Sequence, residues 1–312
     1  NGHDVLEISD RDFIRQNRQL NFKNVKERFQ EYLLATFKNY SPNLVIFGHS
    51  DNIELNTLDN FKKINRNLII SQWNEDPMMN GLPDAKNNIE KITKYKSFVD
   101  HTFVTTDINV LKKNNVKIDN LHFLFIPADK NIECFNIYNL NPFNDIFYAM
   151  SHGVNRATLK KGKIDARANF LNTLVKKLNG INHDFYGMNN KEPIWGEDFF
   201  QALRNSKMGL NLSRGEPTKY YSSNRIATLM GNGLLTFIDC KTKFNDIFNK
   251  NEIILYNNLD DLSEKIQFYK KNDRLRRKIA KNGQSKYFKL FNETVISKYI
   301  LEASLGRKIS LF

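Results

Sequence analysis

Short apolar runs alternate with longer amphipathic stretches along most of this chain, and that order leaves few folds open. In the first half the apolar runs fall at 5–9, 44–48, 68–72, 102–105 and 122–126. They are too short for helices and are bounded by polar turns, so they read as strands. The spacing between them is helical, most clearly over 22–40, where Val25, Phe29, Leu33 and Phe37 recur on one face. Strands and helices in alternation predict a parallel sheet with helices on its faces. Residues 127–142 hold no strong period and read as a linker; a second alternating run opens at 145–150 and continues to 281. A last helix is predicted over 285–304. The 312 residues suffice for two domains with separate cores. Their expected bounds are 1–140 and 141–284, with 285–312 as the closing helix. The opening Asn1-Gly2-His3-Asp4-Val5 reads as the lead-in to a second strand, so a first strand and its glycine turn are expected before it.

Hydrophobic residues make up 40% of the chain and aromatic ones 12%, which suits a filled globular core rather than a disordered chain. No apolar run approaches the length of about 20 residues that a bilayer span needs. The net charge of +13 attracts polyanions: nucleic acid, an anionic leaflet or a phosphorylated glycan. The basic residues are spread along the chain, with small clusters at Lys160-Lys161 and 274–281, so solvated helix faces explain most of them. No helix-turn-helix, zinc spacing or aromatic-basic strand signature accompanies them, which argues against a nucleic-acid reader. Cys134 and Cys240 stand far apart, outside any metal spacing, and point to a reducing cytoplasm. Peripheral contact with an anionic membrane surface fits the charge.

The segment Ser222-Ser223-Asn224-Arg225-Ile226-Ala227-Thr228-Leu229-Met230-Gly231-Asn232-Gly233 joins a polar loop to a short helix and a Gly-x-Gly turn; a buried strand ending at Asp239 follows. Such a junction offers backbone N–H groups and a positive helix end to phosphate. Ser223, Asn224 and Arg225 are the candidate ligands; a helix followed by a strand, with Arg225 solvated, is the plainer reading. A further strand at 253–256 and a helix over 258–269, with Asp260 and Asp261 in its first turn, follow.

This order resembles the donor domain of GT-B glycosyltransferases, in particular the spore-maturation-protein-like and family-4-like branches, with Arg225, Gly233 and Asp239 on the pattern. The resemblance implies two Rossmann-like parallel-sheet domains facing a cleft, with a C-terminal helix crossing back to the first domain. It implies an enzyme that moves a sugar from a nucleotide diphosphate to a glycan or lipid-linked acceptor in cell-envelope polysaccharide synthesis. No cofactor beyond that donor is implied. Thr228 stands where those branches place a sugar-binding glutamate; a hydroxyl cannot bind two sugar hydroxyls bidentately. A sugar-nucleotide epimerase of the same fold and a non-catalytic nucleotide- or glycan-binding protein remain open.

Three clusters complete the expected site. After the strand at 145–150, the run Ser151-His152-Gly153-Val154-Asn155-Arg156 and then Lys161-Gly162 match the family's diphosphate clamp, so Gly153, Asn155, Arg156 and Lys161 are expected at the donor. Fixed cations there stabilise a departing diphosphate without a metal. The chain is read as lacking an Asp-x-Asp triplet at a strand end that would hold a metal instead. After the strand ending near Asn211 comes a long loop that suits a pocket wall; the resemblance implies that it faces the donor, with Arg214, Gly215, Glu216 and Lys219 expected toward phosphate and sugar. In the first domain, Phe47-Gly48-His49-Ser50-Asp51 and Trp73-Asn74-Glu75-Asp76-Pro77 both follow strands and share a rim. His49, Glu75 or Asp76 is the candidate base for an inverting transfer; in a retaining one they orient the acceptor.

Overall fold

The computed structural model describes residues 2–20, 22–49, 51–79, 82, 84–150, 165–307 and 309. The chain divides into two compact units, Asn1–Leu124 with Ser297–Ser310, and Phe125–Ile296 with Leu311–Phe312.

The first unit runs α1 (Asp10–Gln19), α2 (Val25–Tyr40), β1 (Leu44–Gly48), α3 (Leu55–Ile64), β2 (Ile69–Asn74), α4 (Ala85–Lys94), β3 (His101–Val104), α5 (Ile108–Lys113) and β4 (Leu121–Phe123). The strands pair in parallel in chain order β1-β2-β3-β4. The helical stripe of α2 buries Phe29, Leu33 and Phe37 against Leu58, Phe61 and Ile70. Residues 5–9 are not a strand. Val5 is 84% exposed, and Ser9 caps α1 by accepting from the Asp12 N–H at 3.2 Å. The serine three residues ahead of an acidic side chain is a helix-start signal that outweighs a short apolar alternation. Asp10-Arg11-Asp12, an Asp-x-Asp triplet in this first half, lies in the first turn of α1, where Asp12 also accepts from Ser9 Oγ at 2.7 Å.

The second unit holds β5 (Asn144–Ala149), α6 (Ala166–Lys177), β6 (His183–Tyr186), α7 (Gly196–Arg204), β7 (Ser206–Asn211), α8 (Arg225–Gly231), β8 (Leu235–Asp239), β9 (Ile254–Tyr256), α9 (Leu259–Lys271) and α10 (Asp273–Phe291). Its sheet is parallel in the order β6-β5-β7-β8-β9. The chain leaves β5 for β6 on one side and returns to β7 on the other. The order therefore reverses between β5 and β7, and at such a switch point the loops diverge and open a crevice at the strands' carboxyl ends. Residues 127–142 pack within this unit: Ala128 N donates to Phe291 O and Ile137 N to Asn232 O, both at 2.9 Å.

One continuous helix over 285–304 is replaced by two, α10 and α11 (Glu293–Ser304). Asn292 stands extended between them. Its Nδ2 donates to Phe288 O at 2.7 Å and its Oδ1 accepts from Val295 N at 2.8 Å, so one amide closes the first helix and starts the second. The end of α11 belongs to the first unit, where Tyr299 Oη donates to Phe123 O at 3.0 Å and Ser304 Oγ lies 2.7 Å from Ser71 Oγ.

Candidate functional site

Arg225 is the first residue of α8 and is half-buried at the switch point. Its Nη2 donates to Ala149 O, the last residue of β5, at 3.1 Å; its Nη1 donates to Leu212 O, one residue past β7, at 3.0 Å. A single guanidinium therefore spans the two strand ends between which the sheet order reverses. Ser223 Oγ accepts from Nη1 at 3.1 Å, and the Tyr148 ring lies 4.6 Å beneath the guanidinium carbon. Every one of these partners is neutral, and no carboxylate pairs with Arg225 among the described residues. Burial pushes its pKa down, the Tyr148 ring opposes that shift, and Arg167 adds to it. A half-buried cation with no carboxylate partner among the described residues can pair with an anion at such a crevice.

The neighbouring side chains hold this arrangement. Tyr148 is fully buried and donates its hydroxyl to Leu212 O at 3.0 Å. Asp165, at the start of α6, accepts from the Arg167 guanidinium at 2.7 and 3.1 Å and is neutralised by it. The Tyr256 hydroxyl, near Asp239 and Tyr148, is buried without a hydrogen-bond partner among the described residues, and burial raises its pKa. Asp239, on the family pattern, accepts from Lys241 N at 2.8 Å and so shapes the turn after β8. Gly233 has φ +78, and a Cβ there would come within 2.6 Å of the Tyr138 ring. Gly233 N donates to Met230 O and Leu234 N to Leu229 O, both at 3.0 Å, a Schellman close that only glycine fits without strain.

The other expected donor residues divide into three groups. Ser223 orients Arg225. Asn224 is exposed and offers no side-chain cap, and Thr228 returns its hydroxyl to Asn224 O at 3.4 Å. With only 7 residues, α8 has little macrodipole, so the attraction for phosphate falls to the guanidinium rather than to the helix end. The loop after β7 is closed at its base by Asn211 Nδ2 donating to Ser222 Oγ at 2.8 Å, and it is pinned farther on by Tyr220 N to Thr242 O at 2.8 Å. It carries Arg214 half-buried, with Gly215, Glu216 and Lys219 exposed; the Lys219 ammonium lies 4.6 Å from the Tyr220 ring centre. Gly153, Asn155, Arg156 and Lys161 lie outside the described residues.

In the first unit the three expected catalytic residues come together. His49 follows β1 with φ +46, its Nδ1 3.7 Å from Asp76 Oδ2 and its Nε2 3.9 Å from Glu75 Oε1. Asp76 N donates to Asn74 Oδ1 at 2.8 Å and Thr105 Oγ1 to Glu75 O at 2.9 Å, so the turn after β2 is held from both sides. The Trp73 ring meets His49 edge-on at 5.5 Å. His49, Trp73 and Asn74 line a shallow open pocket. Tyr148, Arg167 and Tyr256 escape a sequence reading because each looks like ordinary strand or helix filling; only the Asp165–Arg167 start of α6 hints at a buried charge.

Residues 166–298 match the family model described as glycosyl transferase-like. No curated protein matches the chain. Among solved structures, the Anabaena protein HepE in complex with UDP and glucose is similar, with TM-score 0.60, 11% identity, and coverage of 93% of this chain and 83% of that one. Sucrose-phosphate synthase from Thermosynechococcus elongatus matches with TM-score 0.54, 11% identity, and coverage of 96% and 80%. A glycosyltransferase from Rickettsia africae matches with TM-score 0.56, 14% identity, and coverage of 94% and 87%. The fold is GT-B, two Rossmann-like parallel-sheet domains, and the second unit carries a glycosyl transferase-like domain, which supports a glycosyltransferase as the class of enzyme.

Proposed function

We propose that this chain transfers a sugar from a nucleoside diphosphate sugar to a glycan or lipid-linked acceptor. The observation that carries the reading is Arg225 at the switch point, bridging Ala149 O and Leu212 O with no acid among the described residues to neutralise it. HepE with UDP and glucose, on the same fold, makes a UDP-sugar the first donor to test. In the transfer, an acceptor oxygen bonds to the anomeric carbon as the carbon–oxygen bond to the diphosphate breaks. The electron pair leaves with the diphosphate, where Arg225, with Arg156 and Lys161, stabilises the gathering charge. The acceptor proton passes to His49, Glu75 or Asp76 if configuration inverts, or to the departing diphosphate if it is retained. Arg214, Glu216, Lys219 and Thr228 are the candidates for sugar and phosphate contacts on the donor side.

Within the fold, the order Arg225, Gly233, Asp239 favours the spore-maturation-protein-like and family-4-like branches. A metal is dispensable in this reading because fixed cations take its place. The net charge of +13 suits work beside an anionic cytoplasmic membrane face in envelope polysaccharide synthesis. UDP release from UDP-glucose, followed with and without a saccharide acceptor, tests the reading. Release that grows with acceptor supports transfer; a changed sugar without release indicates an epimerase; binding with neither indicates a non-catalytic module.

A further inference from the structure

We propose that the pocket shared by His49 and Lys94 binds a negatively charged saccharide unit of the acceptor, its carboxylate or phosphate seated on Lys94. This rests on the glycosyl-transfer reading above. The pocket lies wholly within the first unit, between the ends of β1 and β2 and the last turn of α4. Trp73 supplies an aromatic wall and is fixed in place: a Cβ on the facing Gly48 would lie 2.1 Å from its ring. Gln72, only 3% exposed, donates its amide to Ile92 O at 2.8 Å and to Thr102 Oγ1 at 3.0 Å. Its carbonyl oxygen has no partner among the described residues, and it lines the pocket as an acceptor for a hydroxyl. His49 also lines the pocket, with its Nε2 buried and without a hydrogen bond among the described residues. An aromatic wall with an unspent amide oxygen is the chemistry of a polyhydroxylated ring.

The charges select among such rings. Of the two lysines lining the pocket, Lys91 stands 3.5 Å from Asp51 and is offset by it. Lys94 has no carboxylate partner among the described residues. Its Nζ donates to Tyr95 Oη at 2.9 Å, and that hydroxyl donates onward to Ile53 O at 2.8 Å, so the ammonium is held at the wall. Glu75 and Asp76 flank His49 and repel an anion there. An anionic sugar therefore settles with its charge on Lys94 and a neutral hydroxyl toward His49.

Saturation-transfer NMR on the full chain tests this with methyl glucoside, methyl glucuronoside and glucose 6-phosphate, beside calorimetry with UDP. The expected result is that either charged probe, the carboxylate or the phosphate, binds about tenfold more tightly than the glucoside. Lys94→Ala should remove that advantage, Lys94→Arg should restore most of it, and UDP affinity should stay unchanged in both. Equal binding of the neutral glucoside, no effect of Lys94→Ala, no binding of any probe, or displacement of the charged probes by an equal concentration of inorganic phosphate would each overturn the proposal. Failure of UDP to bind the unaltered chain would instead strike the glycosyl-transfer reading, so the two failures are separate.

Discussion

Arg225 owes its position to a planar fork that reaches two carbonyls at once, 3.1 Å to Ala149 O and 3.0 Å to Leu212 O. Lysine offers one point of charge and cannot span both. Arg225→Lys should therefore weaken nucleotide binding nearly as much as Arg225→Ala, and calorimetry with UDP reads the comparison. At the other candidate site, His49→Ala and Asp76→Asn should lower transfer while sparing nucleotide binding, because the donor is assigned to the second unit. A general base contributes about 10²–10⁴-fold in rate, whereas an orienting contact contributes less and acts mainly on the acceptor KM. A large fall in kcat for one variant marks that residue as the base; parent rates with unchanged acceptor dependence in both would remove the rim from the mechanism. Arg225 was legible in the sequence because a polar loop, an arginine and a Gly-x-Gly turn follow one another. Its environment was not: Tyr148 and Arg167 meet it only through the fold. His49, Glu75 and Asp76 were legible as strand-end residues, but Lys94, one element away on α4, was not.

The elements were read best where periodicity ran long. α2, β1 and β2 stand where the hydrophobic spacing puts them, and α9 is capped by Asn258, whose side chain accepts from Asp261 N at 3.0 Å. Failures came where a local hydrogen bond competes with a pattern: Ser9 turns residues 5–9 into a lead-in to α1, and Asn292 breaks one helix into two. The sheet of the second unit also depends on a charge no pattern reveals. Asp145 in β5 is 0% exposed and takes Lys207 from β7 at 2.9 Å and Lys270 from α9 at 2.6 Å. Burial pushes its pKa up, but the two ammonium groups and the Asn182 N–H outweigh burial and leave it below the usual carboxylate range. A depressed carboxylate stabilises the fold above its unfolded pKa, near 3.8, and that contribution is lost as pH falls through the lower folded value. Asp145→Asn should cost about 3 kcal/mol at neutral pH, the lower end of the range for breaking a buried pair, because both lysines reach solvent. Urea unfolding should show the variant losing less stability than the parent between neutrality and about pH 3. A parallel pH dependence in the two proteins would contradict the role given to Asp145.

At the scale of the molecule, the alternation of strands and helices was enough to foresee two parallel-sheet units, but not the strand order that makes β5 and β7 neighbours. That order arises from contacts between residues far apart in sequence, and it is what turns Arg225 from a helix residue into a switch-point cation. If cations rather than a metal ion meet the departing diphosphate, turnover should survive excess EDTA; loss of activity with chelator and return with manganese would show that a metal holds the donor. The central claim, that the second unit binds a nucleoside diphosphate through Arg225, is tested most directly by titrating UDP into the full chain and into Arg225→Ala by calorimetry. UDP should bind the parent, and the variant should lose about 1.5–3 kcal/mol of that affinity, the worth of a charge-assisted hydrogen bond. Equal UDP affinity in the two proteins would contradict the account.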